Sequence, residues 1–508
     1  MKKMVTIDAE TDPFRNGETV APFLWGYYDG ALFKSFHDTE DFVKFIKKQN
    51  VIAYAHNGGK FDFIFLLPWI KGNLLIINSR VVECKIGKCT LRDSYALMPV
   101  PLSKFNKTKI DYGKFKRDVR QHHMREIESY LSDDCRFLYE ALQTFFSEWP
   151  RKLTAASSAF TKCAAIEGWP KIESNRQHHE LITPYYYGGR TQAFKTGHIA
   201  KPVKVYDINS AYPAAMLHDH PVGEPIEYLN QWHEDADFVS VVTQYPDGVF
   251  PHRTKSGLSF PDYTDEPTEF HITKWEFDEW IERTNRIPAH RVIKSYVFPE
   301  RINMRKYVEQ IYAIKQSATG ARRIFAKLML NSVYGKFAQN PDNYEEWRIA
   351  ETVEDGWFYH SDVTDNSALM SRPSVEERYR CVATAASITG FVRAQLARSI
   401  DHETVYCDTD SIFTTGSFFG DISNQLGAWS LEYEAADAWI AGKKLYALKP
   451  SKSKGKWKTA SKGVRLTSSQ IKRVAEGKTI TYTFDAPQFS FRDPVQKPLT
   501  RDVRMIQS

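Results

Sequence analysis

A chain of 508 residues exceeds the length at which one hydrophobic core usually stops growing, so two or more domains are expected. Apolar residues at 42% and aromatics at 14% exclude long disorder, and 68 basic against 62 acidic side chains leave a net charge of +6, compatible with a nucleic-acid partner without requiring one. Six scattered cysteines exclude a disulfide scaffold, and the Cys84/Cys89 pair lacks the second pair that a zinc site needs. The start MKKMVTIDAETD has no secretory core and no run of 18 apolar residues follows, so a soluble, cytoplasmic protein without a membrane partner is expected.

In chain order, the first third alternates short β-rich runs (MVTIDAE, VIAYAH, LLIINS, CTLRDSY) with amphipathic helical segments such as REIESYLSDDCRFLYEALQTFF, which predicts an α/β domain over 1–190. A new strand pattern, VKVYDINSAYP, opens a second unit over 191–218. The stretch 219–302, rich in Pro, His, Trp and charge, reads as an insertion with its own small fold. Residues 303–338 predict two antiparallel helices broken at Thr319 and Gly320, and 339–378 a second, polar insertion. A long helix and the strand ETVYCDTDSIFTT fall in 379–465, followed by a C-terminal unit over 466–508.

One set of acids lies in the first unit. On a strand, Asp8 and Glu10 point to the same face, where two carboxylates repel unless a cation lies between them. Asp62 interrupts an apolar run after Gly58 and Gly59, which costs desolvation unless it is paired or metal-bound. Tyr130 and Asp134, at i and i+4 on a helix, share a face. These four acids suit two hard divalent cations, with Tyr130 orienting a water, for phosphodiester hydrolysis. In order and company the motifs resemble the three exonuclease motifs of family B DNA polymerases, an RNase H-like fold. The resemblance implies that Thr11, His56, Asn57, Phe61, Ser94 and Tyr95 hold a single-stranded 3′ end and that Lys114 assists catalysis. Phe61 could equally be core.

A second set follows. Asp207 ends one strand, and Asp408 and Asp410 flank Thr409, so neighbouring strands could gather three carboxylates around two Mg²⁺ ions and a triphosphate. Between them, Arg323, Lys327, Asn331 and Tyr334 recur on one helix face whose opposite side is apolar, so the cationic side would face a cleft. Lys315 on the preceding helix joins the expected nucleotide contacts, and Gly335 permits close approach. DINSAYP, KLMLNSVYG and YCDTDS match the polymerase motifs of family B in order and content, except that Ala211 stands where Leu is usual.

That resemblance covers most of the chain and implies a right-hand polymerase of palm, fingers and thumb behind the exonuclease domain. Tyr212 would stack under the deoxyribose and exclude a 2′-hydroxyl. The two insertions resemble the protein-primed branch of phages and linear plasmids, in which the first docks a terminal protein and the second helps encircle DNA for processive, strand-displacing synthesis. YYGGR, with Tyr186, Gly188 and Gly189, resembles a linker that transfers the primer end. Thr389, Arg393, Lys444 and Tyr446 resemble DNA-gripping palm motifs. The implied partners are template, primer, dNTPs and a priming protein, the implied cofactor is Mg²⁺, two per site, with Mn²⁺ as substitute, and a monomer is expected. The alternatives are a nucleic-acid-primed family B enzyme, a nuclease whose C-terminal half only grips DNA, and a non-enzymatic scaffold, against which both intact carboxylate sets speak.

Overall fold

The computed structural model describes residues 2–13, 20–105, 108–170, 172, 174–255, 257–284, 290–374, 380–452, 455–483 and 500–505. Two large sheets dominate. The first runs, edge to edge, through Phe33–Phe36, Pro22–Tyr28, Lys3–Thr11, Val51–Ala55, Cys89–Asp93, Arg80–Ile86 and Gly72–Ile77. Lys3–Thr11, Val51–Ala55 and Cys89–Asp93 are mutually parallel and the remaining pairs antiparallel. Helix Arg120–Glu148 covers this sheet because Ile127, Tyr130, Leu131, Asp134, Cys135, Leu138, Leu142 and Phe145 recur at helical spacing and are all buried. Thr6 Oγ1 donates to Cys135 O at 2.8 Å and ties helix to strand, and Pro150 stops the helix.

The second sheet is antiparallel, in the order Lys458–Ser461, Leu445–Pro450, Trp429–Gly442, Val203–Ile208, Ser411–Thr414, Thr404–Asp408 and Thr191–Ala193. Helix Val382–Arg398, buried almost all round, lies between this unit and the first insertion. The insertion leaves and returns through a two-stranded ladder, His220–Val222 against Glu300–Ile302. Inside it, Ile226–Leu229, His290–Val297, Phe238–Thr243 and Thr268–Thr273 form a four-stranded sheet. That sheet packs with helix Lys274–Thr284 around Phe250, Phe270, Ile272, Phe277 and Trp280.

Helices Arg305–Ser317 and Gly320–Ser332 stand antiparallel. The second insertion does not stand alone. Its strand Glu345–Ala350 pairs with Gly72–Ile77, and Ser367–Pro373 and Phe358–Thr364 continue outward, so it covers what would be an open edge of the first sheet. One core joins the units: Leu138 and Phe145 pack in the same cluster as Phe325, Phe337 and Ile388. At the C-terminal end, helix Ser468–Ala475 is capped by Thr467 and Gln470, and Ile480–Thr483 pairs with Thr500–Val503. Of the unit expected over 466–508, residues 484–499 and 506–508 lie outside the described residues. No helix among the described residues is long and apolar enough to cross a membrane.

Candidate active sites

Asp207 lies opposite Ser411, and Ser411 lies opposite Asp408, so three adjacent strand ends bring Asp207, Asp408 and Asp410 together. The tight turn needs Thr409 at φ +63°. Its N–H donates to Arg190 O at 2.6 Å, and Ile208 N–H donates to Asp410 O at 2.8 Å, which stitches the turn to the strand of Asp207. Burial, then the charge of Asp410, push Asp207 up to about 7; burial, then Asp408, push Asp410 up to about 6. Glu432, which sequence reasoning missed because it is one acid in a long polar strand, adds to both fields. Lys444 donates to both oxygens of Asp408, and Thr191 Oγ1 to Oδ1 at 3.0 Å. Tyr446 is buried against Tyr406 and Phe413 beneath the same carboxylates.

Above this cluster, Arg323, Lys327 and Asn331 share the exposed face of their helix while Phe325, Met329 and Leu330 are buried. Lys315 Nζ donates to Ser210 Oγ at 2.8 Å, and its pKa is lowered by burial and by repulsion from Lys327 and Arg323. A pocket whose cations repel one another is suited to a polyanion. Tyr212 stacks on Tyr334 with centroids 4.2 Å apart and rings 14° from parallel. A Cβ at Gly335 would meet nothing within 4 Å, so the backbone there is open to approach.

Gly189 packs on the turn between Asp408 and Asp410, since a Cβ there would stand 2.7 Å from Thr409 Cγ2. Beside it, Tyr186 is half-buried and Gly188 exposed. Thr389 and Arg393, expected to grip phosphates, are 2% and 1% exposed. Their helix is covered on both sides, and Arg393 binds backbone carbonyls instead.

In the first unit, Asp8 and Glu10 extend from Lys3–Thr11, Asp62 heads the short helix Asp62–Phe65, and Asp134 faces them from the long helix. Asp8, His56, Asp134 and Leu138 line a cavity of about 220 Å³. Burial and the charge of Asp8 hold Asp62 far above the usual carboxylate range, and its Oδ1 is buried without a hydrogen-bond partner. The adjacent Cys135 thiol is raised by burial and then by the fields of Asp8, Asp134, Glu10 and Asp62 together. Tyr130 is raised by burial, by Tyr112, whose hydroxyl is 3.2 Å away, and by Asp134. Hard oxygen donors with an orphaned buried carboxylate atom suit divalent cations. Among the described residues no group of three or more His, Cys, Asp or Glu side chains stands close enough to hold a metal ion, at this set or at Asp207, Asp408 and Asp410.

His56 is fixed by Ser94 Oγ and Val100 O, each at 3.0 Å, and Ser94 is fully buried, so it orients His56 rather than meeting a strand itself. Asn57 takes φ +68°, and its turn is held by Asp93, which accepts from the N–H groups of Asn57, Gly59 and Tyr95 and pairs with Arg80. Sequence reasoning passed over Asp93; the Asp-Ser pair ending a strand was its only signal. Arg80 lies over Tyr95, 4.6 Å from the ring centre. Phe61 is half-buried with its edge to Phe65, and Thr11 is half-buried at the strand end. Lys114, expected to assist catalysis, is directed to Glu126 at 2.6 and 2.8 Å, and its ammonium is thereby held by the helix surface.

The fold and these sites define a nucleic-acid polymerase built of an RNase H-like exonuclease domain followed by palm, fingers and thumb. The family model for DNA polymerase type B, organellar and viral, matches residues 105–412. The DNA-directed DNA polymerase of Enterobacteria phage PRD1 is 37% identical over 493 residues, covering 92% of this chain and 87% of that protein. The DNA polymerase of Bacillus phage phi29 is 25% identical over 513 residues, covering 85% and 84%. Phi29 DNA polymerase complexed with primer-template DNA and incoming nucleotide substrates superposes with a TM-score of 0.78 over 100% of both chains at 21% identity. The chain belongs to the organellar and viral type B DNA polymerases and is a DNA-directed DNA polymerase.

Proposed function

We propose that the protein copies a linear viral or plasmid genome and edits its own product, with one carboxylate set lengthening a 3′ end and the other, Asp8, Glu10, Asp62 and Asp134, shortening it. The observation that carries this reading is the gathering of Asp207, Asp408 and Asp410 across adjacent strands beneath the cations of the finger helices.

Two Mg²⁺ ions at each site, replaceable by Mn²⁺, would supply charge neutralisation and activation of the attacking oxygen. Lys315, Arg323, Lys327 and Asn331 would bind the triphosphate, and the Tyr212–Tyr334 stack would form the floor under sugar and base. Lys444 balances Asp408 and would meet the primer end beside it. In the editing site, Tyr130 would orient the attacking water, and His56, Asn57, Phe61 and Tyr95 would receive the frayed strand.

The domain assignment follows: exonuclease 1–190, palm 191–218 and 379–465, fingers 303–338, thumb 466–508. The insertion 219–302 would dock a priming protein whose hydroxyl starts synthesis, and 339–378 would help encircle DNA for processive, strand-displacing copying. PRD1 and phi29 relatives over most of the chain support this branch. We read the enzyme as a monomer acting in the host cytoplasm. The test is incubation with Mg²⁺ and a primed template, with and without dNTPs. Extension with dNTPs and shortening without them are expected; neither would remove the reading.

A further inference from the structure

The first insertion meets the linker between the two enzymatic units directly at two points and, through an arginine of helix Val382–Arg398, at a third. Arg253, on its exposed hairpin, donates to Tyr186 O at 2.9 Å. Arg190 donates to Gly248 O at 2.6 Å and is itself almost fully buried. Between these, Arg393 Nη1 donates to Tyr187 O at 2.6 Å and to Gly188 O at 3.1 Å.

What holds Arg393 is Glu276, on the insertion's helix Lys274–Thr284. Its Oε1 accepts from Arg393 Nε at 2.7 Å, and the two side chains are 0% and 1% exposed. The other oxygen, Oε2, accepts from Thr273 N–H at 3.0 Å and Oγ1 at 2.9 Å, so the carboxylate is locked before it meets the guanidinium. Gly390 allows the approach: a Cβ there would stand 2.3 Å from Thr273 Oγ1. A glycine inside a helix is disfavoured unless close packing needs it, and here it does.

From Gly188 the chain passes to Gly189, packed on Thr409, and to Arg190, whose carbonyl accepts the Thr409 N–H. Thr409 is the residue between Asp408 and Asp410.

We infer that Glu276, a residue of the insertion, is a positioning residue for polymerisation: through Arg393 it fixes the linker at Tyr187 and Gly188, and thereby the turn that presents Asp408 and Asp410. A partner bound to the insertion therefore has a mechanical route of a few contacts to the catalytic turn. The inference rests on the polymerase assignment and uses the proposed exonuclease only as an internal control.

The test uses the full-length chain. Glu276→Gln keeps the size and the contacts to Thr273 while removing the charge opposite Arg393. Single-nucleotide incorporation should slow roughly tenfold in kcat with the KM for dNTP unchanged, and degradation of single-stranded DNA should continue at the wild-type rate. Arg253→Ala, on the solvent side of the same linker, removes the hydrogen bond to Tyr186 O and a guanidinium lying 4.8 Å over the Tyr187 ring, and should shift extension in the same direction by less. Wild-type kcat in both variants would overturn the inference, as would extension and degradation falling together in step with a lowered Tm. A wild-type chain that shortens no DNA would remove the editing reading and leave the comparison of kcat with KM to decide this one.

Discussion

Lys444 places its ammonium 2.7 and 2.9 Å from the two carboxylate oxygens of Asp408. It reaches there from a φ of +55°, with its own N–H bonded to Tyr406 Oη at 2.8 Å, so backbone and side chain are both fixed. Without that charge, Asp408 and Asp410 would repel with less compensation. Lys444→Ala should lower extension by roughly tenfold or more, measured as incorporation on a primed template. Shortening of single strands should be unaffected, because the other carboxylate set belongs to a different sheet.

The same repulsion predicts a coupling between pH and metal. Asp207 and Asp410, raised to about 7 and about 6, hold protons in the native state that carboxylates of the unfolded chain release near 4. The native state therefore binds more protons in that window, and stability from these groups falls as pH rises through it. A divalent cation that needs the ionised forms displaces those protons. The half-saturating Mg²⁺ for extension should rise roughly tenfold or more between about pH 8 and about pH 6, and Mg²⁺ should raise Tm more at the higher pH. A Mg²⁺ requirement independent of pH would contradict this.

How much of this was legible in the sequence differs by residue. Asp8 and Glu10, or Asp408 and Asp410, could be placed because a strand alternates its faces over two residues and the partners are local. The finger stripe of Arg323, Lys327 and Asn331 followed from helical period in the same way. Arg393 could not: nothing in TGFVR reveals that an insertion more than a hundred residues upstream folds back over it. The partner of Lys114 was equally hidden, since Glu126 meets it from the next helix. The pairing of Trp347 with Leu74, which moves the second insertion onto the first sheet, is set by an open strand edge far away in sequence. Local periodicity carries no such information.

His220 predicts an acid-sensitive joint. It is fully buried, with Nε2–H donating to Ala215 O at 2.9 Å and Nδ1 3.0 Å from Ser387 Oγ, which also receives Trp275 Nε1–H. Burial lowers its pKa to about 4. The unfolded state then binds the extra proton between about 6.5 and 4, so stability is full above that window and is lost as pH falls through it, by about 3 kcal/mol in all. The Tm gap between wild type and His220→Gln should narrow on acidification across that range. A gap that stays constant would contradict the buried neutral form.

Lys327 faces both ways in the site's field: it partly offsets the raised pKa of Asp207 and repels Lys315. A triphosphate would relieve that repulsion. Lys327→Ala should raise the KM for dNTP by roughly tenfold or more while leaving single-strand degradation unchanged. Steady-state incorporation at varied dNTP would show it.

The most direct measurement compares Asp410→Ala with Asp62→Ala on one primed template with Mg²⁺, with and without dNTPs. Asp410→Ala should shorten the primer and fail to lengthen it, and Asp62→Ala should lengthen it and fail to shorten it. Extension by Asp410→Ala, or loss of both reactions in either variant while the Tm is unchanged, would contradict two independent carboxylate sites.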